Sequence, residues 1–197
     1  MTYSVPEKKF IDTTGTTNVP EVGTLSLLNP LGQGTSVITR IGQKIIIRSI
    51  DLRVRVSAAP PSASPSLYPN MVRVLLVWDN QPNGSLANAS DIIEDLTAGT
   101  GVISPQQKIY ITRFRILWDK KFMLANMPTA DAVTAKLNDY DQYYKKTRLQ
   151  VGYADSNNGD ITDIITGALY LLAVGQHSAT ANQGILEYFC RIRFYDN

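Results

Sequence analysis

From about residue 36 onward, apolar and polar side chains alternate with a period of two. In "RIGQKIIIRSIDLRVRVSA" (40–58), Ile46, Ile50, Leu52, Val54 and Val56 fall on one face of an extended segment; Ser49, Asp51, Arg53 and Arg55 fall on the other, and Arg48 is out of step. β-rich runs recur at 71–79, 108–119, 120–124, 147–153, 163–175 and 185–197, separated by stretches rich in Gly, Pro, Asn and Ser. A period of two rather than 3.6 predicts strands. The longest connections, 59–70 and 80–107, lack amphipathic helices, although "SDIIEDL" can form one short helix capped by Ser90. Without crossover helices a parallel sheet is excluded, and the expected fold is all-β, a two-sheet antiparallel sandwich decorated with long loops.

Residues 1–35 differ in character. They are rich in Thr, Pro, Gly and Asn, with Lys8 and Lys9 their only basic side chains, and they predict an N-terminal arm in front of a domain spanning 36–197. "VWD" (77–79) and "LWD" (117–119) lie at the spacing of a propeller repeat, but a third copy would fall near 158, where the chain reads "NNG". Each Trp is instead expected to pack near a strand end and each Asp to begin the following turn.

Composition narrows the chemistry. The 197 residues, 44% hydrophobic and 18% charged with a net charge of +2, suit one globular body. No run approaches the length of a membrane-spanning helix, so no membrane insertion is expected, and no signal-like apolar segment opens the chain, so intracellular synthesis is expected. The single Cys190 and single His177 cannot supply a zinc site or a cupin centre. His177 falls in a small-residue turn and Cys190 on the buried face of the last strand, so no nucleophile is expected, the chain is not expected to be an enzyme, and no cofactor is implied. In "DSNNGDITD" (155–163), Asp155, Asp160 and Asp163 with Asn157 form a weak calcium candidate; the Gly and Glu positions of an EF-hand are not met, and an Asx-type turn is the competing account.

The order of motifs is more specific. "PEKKFID" (6–12), "LLNPLGQGTSVITRIGQKIIIRSIDLRVRV" (27–56), "VRVLLVWDNQPNG" (72–84), "FRILWDKKFML" (114–124) and a final "RIRFYDN" (191–197) resemble capsid proteins of small circular Rep-encoding single-stranded DNA viruses. The resemblance implies a single jelly roll of eight strands, B to I, in sheets B-I-D-G and C-H-E-F. It further implies self-assembly of about 60 copies into a T=1 icosahedral virion around single-stranded DNA, with assembly in the host nucleus. Such proteins commonly begin with an arginine-rich arm; its absence here is expected to reflect removal of that arm. The competing function is a cellular β-sandwich recognition module, for example carbohydrate-binding, using loops 59–70 and 80–107.

With the implied sheet order, Arg53 and Arg55 on a strand taken as B, Arg191 and Arg193 on I, and Arg113 and Arg115 on a strand taken as D form i, i+2 pairs on neighbouring strands. They predict a basic platform for phosphates, facing the particle interior; the competing account is that Asp51, Glu187 and other carboxylates of the chain neutralise them. On this expectation Arg113 and Arg115 point away from the core and can be replaced without disturbing it. "YDQYYKKTR" (140–148) adds Lys145, Lys146 and Arg148 among tyrosines suited to stacking on bases, with a subunit contact or a strand-entry loop as the competing and favoured account.

Overall fold

The computed structural model describes residues 8–58, 70–124 and 138–196. Nine strands occur among them: β1 (Lys8–Val19), β2 (Thr24–Leu27), β3 (Lys44–Ser57), β4 (Asn70–Asp79), β5 (Phe114–Leu124), β6 (Asn138–Tyr153), β7 (Ile164–Thr166), β8 (Ala168–Gly175) and β9 (Gly184–Asp196). They form two sheets, ordered β1-β9-β3-β6-β7 and β2-β8-β4-β5, and every strand pairing is antiparallel. With β1 to β6 lettered B to G, and β8 and β9 lettered H and I, the order is B-I-D-G and C-H-E-F, with the three-residue β7 added beside G. The fold is a jelly-roll sandwich.

That lettering corrects the expected one. The stretch expected to be an arm is, from Lys8 onward, built into both sheets, because β1 pairs with β9 from Lys8↔Tyr195 to Val19↔Gly184 and β2 pairs with β8. Segment 44–57 is therefore D rather than B, and the strand after Arg113 is F rather than D. β1 lacks the aliphatic alternation of a core strand, but Thr13, Thr14, Thr16 and Thr17 are β-branched and suit an edge strand with one wet face. Gly15 is required there: a Cβ would lie 2.7 Å from the Tyr188 ring.

Arg48 is out of step because β3 bulges. Ile47 pairs with Phe194 and Ser49 with Arg193, leaving Arg48 extra. The core face is thus Ile45 and Ile47 before the bulge, and Ile50, Leu52, Val54 and Val56 after it; Ile46 is not part of it. Residues 108–113 are turns rather than strand, and 114–124 is one strand rather than two. The basic segment 140–148 lies inside β6. The short helix α1 (Ala89–Ile92) is capped by Asn88, not Ser90, and the Asn88 N–H donates to the Asp91 carboxylate at 3.0 Å. Trp78 is buried at the end of β4 with Asp79 receiving the Gln81 N–H, as a turn requires, whereas Trp118 and Asp119 sit in mid-strand. Among the described residues no helix is long and apolar enough to cross a membrane.

The two sheets differ in what covers them. β4 and β8 are buried along almost their whole length, on both faces. One face of each meets the core; the other lies under the segment between β4 and β5. Arg73 of β4 donates to the carbonyls of Gly101 and Ser104 in that segment and forms a two-pronged pair with Asp119 at 2.9 and 2.7 Å. β3, in the other sheet, alternates buried with exposed residues after Leu52. No described segment covers the second face of that sheet.

Candidate nucleic-acid interface

The bare face of the five-stranded sheet is built in rows by the register. Across β1, β9, β3 and β6 the rows read Phe10–Arg193–Ser49–Lys146, Asp12–Arg191–Asp51–Tyr144, Thr14–Phe189–Arg53–Gln142 and Thr16–Glu187–Arg55–Tyr140. Directly opposed residues in an antiparallel ladder share a face, so sixteen side chains form one surface. Five cations stand on it, Arg53, Arg55, Arg191, Arg193 and Lys146, against three carboxylates, Asp12, Asp51 and Glu187.

The carboxylates divide the cations into two kinds. Arg191 is gripped by Asp12 through two bonds of 2.7 and 2.6 Å, and its guanidinium lies over the rings of Phe10 and Phe189 at 4.9 and 5.7 Å. The Arg191 hydrogen bond is the chief reason the Asp12 carboxyl titrates below its usual range. Arg53 lies 3.3 Å from Asp51, which also accepts from the Gln142 side chain at 2.8 Å, and Arg55 pairs with Glu187 across the ladder. Arg193 and Lys146 are exposed, and neither makes an ion pair with a carboxylate among the described residues. The first row is therefore the uncompensated one, with Phe10 and Ser49 as its neutral members. Like charges separated by a serine repel, and a polyanion laid along the row relieves that repulsion. Tyr140 and Tyr144 stand more than half exposed on the same face, where rings can stack on bases.

The other candidate cations are elsewhere, which corrects the six-arginine platform: Arg113 and Arg115 belong to the opposite sheet. Arg113, just before β5, makes two bonds of 3.0 and 2.9 Å to Asp79, a fully buried carboxylate that also accepts from the Tyr170 hydroxyl at 3.3 Å. That pairing raises the Arg113 pKa, and burial first, with Asp79 second, raises that of Tyr170. Arg113 is thus a tie within the covered layer, and its replacement disturbs the packed structure rather than sparing it. Arg115 and Arg148 both line a groove of about 340 Å³ at the open edge between the sheets, with Trp78, Asn80, Gln150 and Thr166. Lys145 is in register with Ile50 and so points to the other side of its sheet from Lys146.

The remaining candidates are not assembled into sites. Among the described residues no three His, Cys, Asp or Glu side chains come together as metal ligands would, so Asp155, Asp160 and Asp163 are not gathered into one cluster. Their segment is a folded turn: Asp163 donates its N–H to the Asp160 carbonyl at 3.0 Å, and Gly159 packs so closely on Leu31 and Gly32 that a Cβ would clash with backbone. Cys190 is buried, and desolvation pushes its thiol up to about 12, which leaves it unreactive at neutral pH. The Nε2 of His177 is buried without a hydrogen-bond partner. Loop 59–70 lies, apart from Asn70, outside the described residues.

Sequence reasoning missed Phe10, Asp12 and Phe189, because the first two lie in the supposed arm and Phe189 is an apolar residue on a polar face. The signal for Phe189 is its place among Glu187, Arg191 and Arg193 at alternate positions of "EYFCRIR".

Among solved structures the chain is similar to Desmodium yellow mottle tymovirus, with 11% identity over 100% of this chain and 91% of that one at a TM-score of 0.36. It is also similar to the Gx strain of infectious bursal disease virus, with 8% identity over 98% of this chain and 36% of that one at a TM-score of 0.30. No curated protein matches the chain in sequence. The profile of the geminivirus coat protein/nuclear export factor BR1 family matches residues 5–197. That match agrees with the capsid resemblance of the motifs and supports a viral capsid protein over a cellular recognition module: the chain belongs to the geminivirus coat protein/nuclear export factor BR1 family.

Proposed function

We propose that this coat protein closes into a T=1 shell of about 60 copies around single-stranded DNA, with the bare face of the five-stranded sheet turned toward the genome. The observation that carries the reading is the contrast between the sheets: one outward face is sealed by chain, the other is open and bears five cations against three carboxylates. Rows of guanidinium and ammonium groups spaced along a strand meet phosphates without reading base sequence, and no recognition helix is present among the described residues to enter a groove. Arg53, Arg55, Arg191, Arg193 and Lys146 are the contacts on this face. Arg115, Arg148 and Lys145 add positive charge at its margin, and Arg113 contributes none.

Assembly is supported by apolar side chains that one chain leaves wet. Ile103, Ile109, Ile111 and Met123 are each at least 60% exposed. All lie on or beside the four-stranded sheet, away from the cationic face, as subunit contacts should. A nuclear stage of assembly fits a family whose description includes a nuclear export factor.

Electron microscopy of the purified full chain, together with the absorbance ratio of the particles, tests the proposal. Closed shells of one small diameter that carry nucleic acid are expected. A chain that stays monomeric at micromolar concentration across low salt, high salt and mildly acidic pH overturns it.

A further inference from the structure

One groove on the cationic face has a composition that charge neutralisation alone does not require. It holds about 500 Å³ and is lined by Thr14, Thr16, Arg53, Arg55, Tyr140 and Phe189, with Gly15, Val54, Glu187 and Tyr188 completing it. Phe189 is its centre. In the register Phe189 lies between Thr14 on β1 and Arg53 on β3, so a hydroxyl and a guanidinium flank the ring. The ring stands on a wet sheet face, half-buried with the Arg191 guanidinium near one side of it, and it plays no part in the core, which lies on the other side of β9.

The surrounding polar groups are already held. Arg55 is tied to Glu187, Arg53 to Asp51, and Arg191, which lies against Phe189, to Asp12. These guanidiniums are oriented by their own carboxylates, which fixes the walls of the groove and lowers the entropy lost when a ligand enters. Tyr140, more than half exposed in the neighbouring row, supplies a second ring and a hydroxyl at the rim.

The geometry points to a nucleobase cradle: one unpaired base of the packaged strand lies on the ring of Phe189, with Arg53 and Arg55 beside its flanking phosphates and Tyr140 at the rim. Every base has a π-face, so stacking here is tolerant of sequence but demands a single strand; a base inside a duplex presents no free face. The inference rests on the genome-facing reading of this sheet and adds to it that a base, not only phosphates, is held.

The test compares two probes of equal length and charge, oligothymidylate and a fully abasic oligodeoxyribose phosphate, binding to the full chain in solution and to its Phe189→Leu and Phe189→Trp variants. Leu keeps apolar contact with the Arg191 stem and removes the ring; Trp enlarges the ring and reports stacking through quenching in excess of that of the parent chain. Oligothymidylate is expected to bind about tenfold more tightly than the abasic probe, within the range that base–aromatic stacking supplies. Phe189→Leu is expected to remove that advantage, so that the two probes bind alike whatever the change common to both, and Phe189→Trp to be quenched by oligothymidylate alone. Equal binding of both probes, or an advantage that survives in Phe189→Leu, overturns the cradle and leaves the phosphate reading in place. Absence of binding to either probe overturns the genome-facing reading itself, and the cradle with it.

Discussion

The two sheets of this sandwich use arginine in opposite ways. On the outward face of the four-stranded sheet, Arg73 lies beneath the segment between β4 and β5 and Arg113 closes the end of that segment, each with a carboxylate gripped by two bonds. On the outward face of the five-stranded sheet, arginines are reached by water: Arg191 is held by Asp12 through two bonds, Arg53 and Arg55 each have one carboxylate partner, and Arg193 makes no ion pair among the described residues. A buried guanidinium is kept only if every donor is used, because an unpartnered charge out of water is costly. An exposed one is free to exchange its partner for a phosphate, and a surface ion pair contributes little to stability. Identical side chains are therefore structural on one sheet and available for binding on the other.

The comparison breaks most sharply at Arg113. Arg113→Gln leaves Asp79, which is fully buried, without its cation, and breaking a buried pair in this way costs about 3–5 kcal/mol. For a chain of this length that is a fall in melting temperature of about 10 °C, readable by calorimetry. Arg115→Gln, two residues on, should change stability by no more than about 0.5 kcal/mol. Equal melting temperatures for the two variants would mean that Asp79 finds another partner and that the covered face is not held as described.

Arg73→Gln should have an intermediate effect. Asp119 is one-third exposed and regains water, but the carbonyls of Gly101 and Ser104 lose their donor, a loss of about 1–3 kcal/mol. The segment between β4 and β5 should also be cut faster by protease in this variant, because Arg73 is its tie to β4. An unchanged cleavage rate would show that Ile92, Ile93 and Val102 hold the segment without it.

These differences explain what could be seen in the sequence. "MVRVLLVW" and "ALYLLAV" are nearly continuous apolar runs, the mark of strands covered on both faces, and "IDLRVRV" alternates, the mark of a strand with one wet face. The all-β sandwich was legible from those periods, and the sheet order from the capsid resemblance. What was hidden is β1, since "DTTGTTN" carries its strand signal in β-branched threonines rather than in aliphatic alternation. Missing that strand and β2 gave 44–57 the letter B instead of D and the strand after Arg113 the letter D instead of F, while the last strand kept I, and so it set Arg113 and Arg115 beside Arg191 when they lie on the other sheet. Pairing is a long-range property, so no local pattern around Arg113 separates a buried tie from a free cation; the fully buried Asp79 that decides it belongs to another strand.

On the open face, the double variant Arg193→Gln, Lys146→Gln should keep its stability within about 0.5 kcal/mol, since neither residue has an ion pair to abandon among the described residues. Its binding to single-stranded oligonucleotide should lose salt dependence, the log–log slope falling by about 1.4 at roughly 0.7 per phosphate contact. Electrophoretic or anisotropy titrations at several salt concentrations measure this. An unchanged slope would remove the uncompensated first row from the interface.

The smallest expected effect lies at Asp12, and its sign follows from the pairing. The Arg191 hydrogen bond lowers the folded-state pKa of Asp12, so the pair's contribution to stability is fully present above the unfolded value of about 3.9 and is lost as pH falls through the folded value. Over that acidic window the Asp12 carboxylate neutralises and Arg191 loses its competitor. Oligonucleotide binding should strengthen there even as the chain becomes less stable, a divergence that general acid unfolding does not produce. Asp12→Asn reproduces the neutral form at pH 7, where the remaining carboxylates stay ionised. It should release Arg191 to phosphate and steepen the salt slope by up to about 0.7, with little change in melting temperature because this pair is partly exposed. A slope identical to that of the parent chain would mean that Arg191 stays over Phe10 and Phe189 as part of the wall, and that only Arg53, Arg55, Arg193 and Lys146 on this face meet the genome's phosphates.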